Sequence, residues 1–123
     1  VSTVKIYESA ENYLETIHVL SLRGEPVHSV DIATELGVSK PSVSVAMKNL
    51  REGGYIKFDA DLHITLTDTG LEIAERMYER HVFLTEWLIS LGVPDETAAL
   101  DACRIEHVLS PESFEAIKKN AGK

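Results

Sequence analysis

Residues 39–58, SKPSVSVAMKNLREGGYIKF, decide how this chain is read. Ser39 is a hydroxyl N-cap, and Pro41 falls in a first helical turn, where its missing N–H costs nothing. Val43, Ala46, Met47 and Leu50 recur at helical spacing as one apolar stripe, which predicts a helix from Ser39 to about Glu52. Gly53-Gly54 stops it. Tyr55-Ile56-Lys57-Phe58 and Leu62-His63-Ile64-Thr65-Leu66 then read as two short strands around Asp59-Ala60-Asp61.

Upstream of this stretch, Ser9 is a good N-cap with Glu11 in the turn that follows. Ala10, Tyr13, Leu14, Ile17, Leu20 and Ser21 mark the core face of a first helix. Arg23-Gly24-Glu25-Pro26 ends it. Ser29 caps a second helix, Val30 to Leu36, with Ile32, Ala33 and Leu36 inward and Gly37 as its stop. Three helices followed by a hairpin describe a winged helix-turn-helix. Downstream, Thr67 caps a long fourth helix with Leu71, Ala74, Met77, Tyr78, His81, Leu84 and Leu88 on its apolar stripe, ending at Gly92. Pro94 opens a fifth helix, Asp95 to Leu109, and Ser110-Pro111-Glu112 opens a sixth that fades into Lys118 to Lys123. The fold class is mainly α, with a winged-helix domain over 1–66 and a helical domain over 67–123.

At 123 residues the chain fits one compact domain, or a small domain with an extension. No apolar run approaches the roughly 20 residues that span a bilayer, and no signal pattern opens the chain. The single cysteine, Cys103, cannot form an intrachain disulfide, which fits a reducing, cytoplasmic setting. A net charge of −8 argues against a general nucleic-acid coat. Its distribution does not: Lys40, Lys48, Arg51 and Lys57 face Glu52 alone between Ser39 and Lys57. A local basic stripe on an acidic chain suits a specific reader of double-stranded DNA.

A helix entering the major groove reads bases through its N-terminal residues while flanking donors hold phosphates. Here that end carries Ser39, Lys40, Pro41, Ser42 and Ser44, with Lys48 and Arg51 placed for the backbone. Alternatively Ser39 only caps and the cations are solvated, since winged helices also serve as protein-interaction modules. The tip of the hairpin carries Asp59 and Asp61, which phosphate would repel, so little DNA affinity is expected from it.

The fifth helix carries the most specific cluster. Cys103, Glu106 and His107 stand at i, i+3 and i+4, on one face with Leu100, while Ala98, Ala102, Ile105 and Leu109 line the other. With both faces partly buried, a thiol, a carboxylate and an imidazole together are costly unless something neutralises them. A divalent cation does that. His81 lies on the apolar stripe of the fourth helix; alone it would more often be a hydrogen-bonded core residue, but beside the cluster it reads as a ligand. Asn12 and Glu15 share one side of the first helix, and a solvated polar face is their ordinary explanation.

These residues resemble the diphtheria toxin repressor family of iron- and manganese-dependent transcriptional repressors. The resemblance runs through residues 9–15, 38–44, 66–70, Arg80-His81 and, most diagnostically, Cys-Arg-Ile-Glu-His at 103–107. It implies a homodimer whose helices after the wing form the interface. It also implies a metal site joining that helical unit to the first helix, with His81, Cys103, Glu106 and His107 as ligands and Asn12 and Glu15 as candidates. The iron branch has cysteine where Cys103 stands, and the manganese branch an acidic residue; Glu15 looks manganese-like, and Asn12 follows neither branch. Val82 and Ala99 occupy positions where the iron branch builds an ancillary metal site, so that site is expected to be missing in its usual form. Leu62 stands where a wing arginine is usual. The chain is expected to be a short form lacking the SH3-like domain of many iron-branch members.

The expected function is therefore metal-dependent repression at operator DNA, with Fe(II) the first candidate cofactor, Mn(II) the next, and zinc or another ion after them. Thiolate and imidazole favour softer metals, while the Asn12 and Glu15 oxygens favour harder ones. The alternative is a winged-helix DNA-binding or interaction module without metal. An enzyme is not expected, since no nucleophile, Gly-rich phosphate loop or general-base pair stands beyond these ligands.

Overall fold

The computed structural model describes the backbone of residues 2–121 and the side chains of residues 9–121. Its elements are α1 (Ser2–Leu22), α2 (Ser29–Leu36), α3 (Lys40–Glu52), β1 (Ile56–Phe58), β2 (Ile64–Leu66), α4 (Asp68–Ser90), α5 (Asp95–Ile105) and α6 (Pro111–Asn120). They form two compact units, Val1–Glu75 and Arg76–Lys123, divided within α4.

In the first unit, α1 to α3 and the hairpin close around Leu14, Ile17, Ile32, Val43, Met47, Leu50, Ile56, Ile64 and Ala74. Each helix contributes its predicted apolar stripe, the period-3.6 pattern that a helix buries against its neighbours. Strands β1 and β2 pair antiparallel, with Ile56 opposite Leu66 and Phe58 opposite Ile64. The Ile64 N–H also donates to the Val27 carbonyl at 2.7 Å, so the segment before α2 adds an isolated bridge to the hairpin. That pairing joins residues far apart in sequence and has no local signature.

Several helix ends differ from expectation. Helix α1 runs from Ser2, so Ser9 lies inside it and caps nothing. Residues 2–8 contain neither glycine nor proline, and nothing there stops a helix from continuing. Ser21, expected on the core face, is exposed, and its hydroxyl donates back to the Ile17 carbonyl at 2.7 Å. Helix α2 is capped by His28 rather than Ser29, with the Asp31 carboxylate accepting from the His28 N–H at 2.8 Å. Ser39, Thr67 and Ser110 do cap: each hydroxyl accepts a backbone N–H three residues on.

In the second unit, Leu84, Ala102 and Phe114 form the core with Phe83, Trp87, Ile105 and Leu109. Phe83 and Phe114 meet edge to face, their ring centroids 5.7 Å apart. Tyr78, expected on the α4 stripe, stands at its exposed margin, while Arg80 is buried. Helix α5 stops at Ile105, four residues short of the predicted Leu109. The reason lies on another helix: Arg80 Nη1 donates to the carbonyls of Glu106 at 2.9 Å and Leu109 at 2.8 Å. It satisfies from outside the orphan carbonyls that a helix C-terminus leaves.

Candidate metal centre and DNA interface

Within the second unit, α4 and the end of α5 bring three of the expected ligands together. The Glu106 carboxylate is fully buried. Its Oε2 lies 2.9 Å from His81 Nδ1, and its Oε1 lies 3.3 Å from His107 Nε2. Glu106 keeps helical φ and ψ at the C-cap, so its side chain still projects from the α5 surface. His107 lies in the turn beyond. Arg80, one residue before His81, holds the Glu106 carbonyl and thereby fixes the carboxylate that His81 meets.

Cys103 is half-buried on the last turn of α5, three residues before Glu106. Leu100, expected on the same buried face, is 59% exposed instead. Asn12 is half-buried and Glu15 buried, both on α1 in the first unit, so neither lies on the solvated face that is ordinary for such a pair. The donor chemistry of the second unit fits a divalent transition ion: a buried carboxylate flanked by two imidazoles, with a thiol one turn away. Sequence reading names Arg80 only within the Arg80-His81 pair of the family resemblance and gives it no role, although an arginine among Met77 and Leu84 at helical spacing is a signal of burial.

On the first unit, Ser39, Lys40, Pro41, Ser42, Ser44, Lys48 and Arg51 are all exposed on or beside α3. Ser39 Oγ accepts the Ser42 N–H at 3.3 Å and donates to Ser42 Oγ at 2.8 Å, so part of its capacity is spent on the cap. Along one flank runs a cleft of about 230 Å³ lined by Ser29, Ser44, Met47, Lys48, Arg51 and Phe58. The Arg51 guanidinium stacks over the Phe58 ring at 5.7 Å, which steadies a cation at the cleft wall. Two cations and two hydroxyls beside an exposed helix are the chemistry that could take a phosphate group. Ser29, expected only as a cap, also lines that cleft.

The wing is acidic at its tip. Asp59 Oδ1 accepts the N–H groups of Asp61 and His63, each at 2.9 Å, and Oδ2 lies 2.9 Å from His63 Nδ1. The His63 N–H, with lesser help from Asp61 and the His63 ring, holds the Asp59 carboxyl below the usual carboxylate range. Leu62, expected in a strand, sits in this turn with φ 63° and its side chain 68% exposed. The ligand atoms of Asp59, Asp61 and His63 lie within 4.8 Å of one another, but the group is largely exposed and its central carboxylate closes the turn. No helix among the described residues is long and apolar enough to cross a membrane.

Comparison with known proteins agrees with both halves. Residues 5–64 match the iron dependent repressor N-terminal DNA binding domain, and residues 67–123 the iron dependent repressor metal binding and dimerisation domain. An uncharacterized HTH-type transcriptional regulator of Methanocaldococcus jannaschii is 33% identical over 116 residues, covering 90% of each chain. The transcriptional regulator MntR of Salmonella typhimurium is 35% identical over 109 residues, covering 89% of this chain and 69% of that protein. Among solved structures, the manganese regulator SloR superposes with a TM-score of 0.80 at 29% identity; the match takes in 89% of this chain and spans about half (52%) of SloR. Together with the winged helix and the buried carboxylate–histidine group, these matches place the chain in the iron dependent repressor family of metal-dependent transcriptional regulators.

Proposed function

We propose that this chain is a cytoplasmic, homodimeric repressor that occupies operator DNA when a divalent transition metal is bound, with Fe(II) the first candidate and Mn(II) the next. The ligands are His81, Cys103, Glu106 and His107, with Asn12 and Glu15 of α1 as further donors on the family resemblance. The observation that carries the reading is the fully buried Glu106 carboxylate between His81 and His107. A buried anion of this kind is costly unless charge is supplied to it. When bound, a divalent cation supplies that charge and a fixed coordination geometry.

The chain's own residues do the rest. Arg80 holds the backbone at Glu106, so the carboxylate is presented in one place. Cys103 adds a soft donor that favours Fe(II) over Mn(II), while Glu15 adds a hard one. On the winged helix, Ser29, Lys48 and Arg51 hold backbone phosphates, and the first turns of α3 read bases. Domain roles follow the matched regions: residues 1–66 bind DNA, and residues 67–123 bind metal and dimerise. Support for dimerisation comes from Leu91, Leu100 and Val108, all at least 59% exposed on the second unit.

Anaerobic titration of the untagged protein with Fe(II), Mn(II), Co(II) and Zn(II), against duplexes selected from a randomised library, tests this reading. Binding should tighten by about 5- to 150-fold with the physiological ion and be reversed by a chelator. Linkage then requires the same factor in metal affinity when duplex is present. Duplex affinity indifferent to all four ions would leave a winged-helix module without metal sensing.

A further inference from the structure

Helix α3 carries one large apolar side chain on its outer surface. Val45 is 61% exposed, among outward neighbours Ser42, Ser44, Lys48 and Asn49 that are all polar. A single exposed aliphatic residue is ordinary on a protein surface, and the exposure alone decides nothing. Its position does. Val45 follows the buried Val43 by two residues and precedes the buried Met47 by two, so at about 100° per residue it projects roughly 160° from both. It therefore stands on the crest of the helix, directly away from the core. It also lies in the second turn, between Pro41 four residues earlier and Lys48 three residues later, within the half of the helix that enters a groove first.

The cleft beside α3 bears on what the crest would face. Ser29, Ser44, Lys48 and Arg51 line one flank of the helix and suit a phosphate of the groove wall. A helix seated by that flank turns its crest toward the groove floor. Valine has no donor or acceptor and cannot take part in the hydrogen-bond code of base edges. The one apolar group on the major-groove edge of DNA is the C5 methyl of thymine. Against a G·C pair the same side chain would shield the cytosine amino group and guanine acceptors from water while offering no partner, which is unfavourable. A β-branched residue also loses little side-chain entropy in a helix, because its rotamer is already restricted.

We propose that Val45 is a specificity-determining residue that reads a thymine by packing its isopropyl group on the C5 methyl, once in each half-site. This rests on the DNA-reading function proposed above and names one base that function selects. The contact is short and dry, in contrast with the longer, charged reach of Lys48 and Arg51 to the backbone. It sets which base pair is accepted at that step and contributes little to sequence-independent affinity.

The test pairs a base analogue with a side-chain truncation. Metal-loaded wild-type protein first selects duplexes from a randomised library. Each thymine of the selected duplex is then replaced in turn by deoxyuridine, which lacks only the methyl group. One thymine per half-site should show a loss of about three- to fivefold on replacement, the worth of one buried methyl. In Val45→Ala the loss at that same position should fall to near unity, while phosphate-dependent affinity for unselected duplex is retained. The variant keeps the helix, since position 45 is exposed and alanine is the better helix former. Selection repeated with Val45→Ala should relax the preference at that base pair alone. An equal uracil penalty in both proteins, or no uracil-sensitive thymine, would overturn the assignment while leaving DNA reading intact. Failure to enrich any duplex with any metal would overturn the DNA-reading function and this inference together.

Discussion

Two adjacent residues on α4, Arg80 and His81, have opposite relations to the same partner. Arg80 donates to the Glu106 carbonyl, a structural bond, while His81 meets the Glu106 carboxylate. Substitution separates the roles. Arg80→Gln removes two charge-assisted bonds from a buried position, and the unfolding midpoint in urea should drop by the equivalent of about 2–4 kcal/mol. Glu106→Gln neutralises a buried charge at constant volume, so the metal-free protein should be at least as stable as wild type. Its affinity for Co(II) or Mn(II) in equilibrium dialysis should nevertheless fall by more than the about 10- to 100-fold typical of a lost supporting group. Equal metal affinity in wild type and Glu106→Gln would remove this carboxylate from the ligand set. At this scale the placement of Cys103 and Glu106 one turn apart was legible, because i, i+3 spacing is local, whereas His107 was expected on the helix and lies in the turn beyond it. The sequence was silent on what Arg80 does, because the carbonyls it binds lie 26 and 29 residues away.

Elements show the same division between local and distant causes. The starts of α3, α4 and α6 were legible because a capping hydroxyl acts within three residues, whereas the end of α5 was not, because Arg80 terminates it from another helix. Gly70, in the first turn of α4, has a role that no turn signal announces. A Cβ there would land on the Tyr55 carbonyl, so the helix start and the approach to β1 pack backbone to backbone. Gly70→Ala should therefore destabilise the first unit by about 1–3 kcal/mol or more, read as loss of amide protection in the hairpin. The wing turn supplies a pH prediction. Asp59 is held below the ordinary carboxylate range chiefly by the His63 N–H, so its folded form binds protons less readily than the unfolded chain. Its contribution is thus fully present above the unfolded value of about 3.9 and is lost as pH falls through the lower folded value. Exchange of the Asp61 and His63 amides should quicken over that acid window in wild type. In Asp59→Ala exchange should already be quick at neutral pH, with no step in that window; a step shared by both proteins would place its origin elsewhere.

For the molecule as a whole, the acidic net charge and the basic flank of α3 assign different tasks to different surfaces. The second unit leaves Leu91, Leu100 and Val108 at 63%, 59% and 65% exposure, although its own core is small. On the proposed reading, a second copy of the chain covers aliphatic groups this open on a unit that matches a metal binding and dimerisation domain. A two-fold dimer also supplies what one short α3 lacks, namely two recognition helices set one helical turn of DNA apart, about 34 Å. Leu100→Glu should then shift the protein toward monomer in analytical ultracentrifugation, because a charge is placed on an apolar two-fold surface and repeated by symmetry. Affinity for a two-half-site duplex should fall steeply toward that for a single half-site, while His81, Glu106 and His107 still bind metal in the monomer. Loss of dimer, duplex affinity and metal together would mean instead that the substitution had unfolded the helical unit, and circular dichroism distinguishes that case. If Leu100→Glu remains a dimer with unchanged duplex affinity, the exposed face around Leu100 is not the one that pairs.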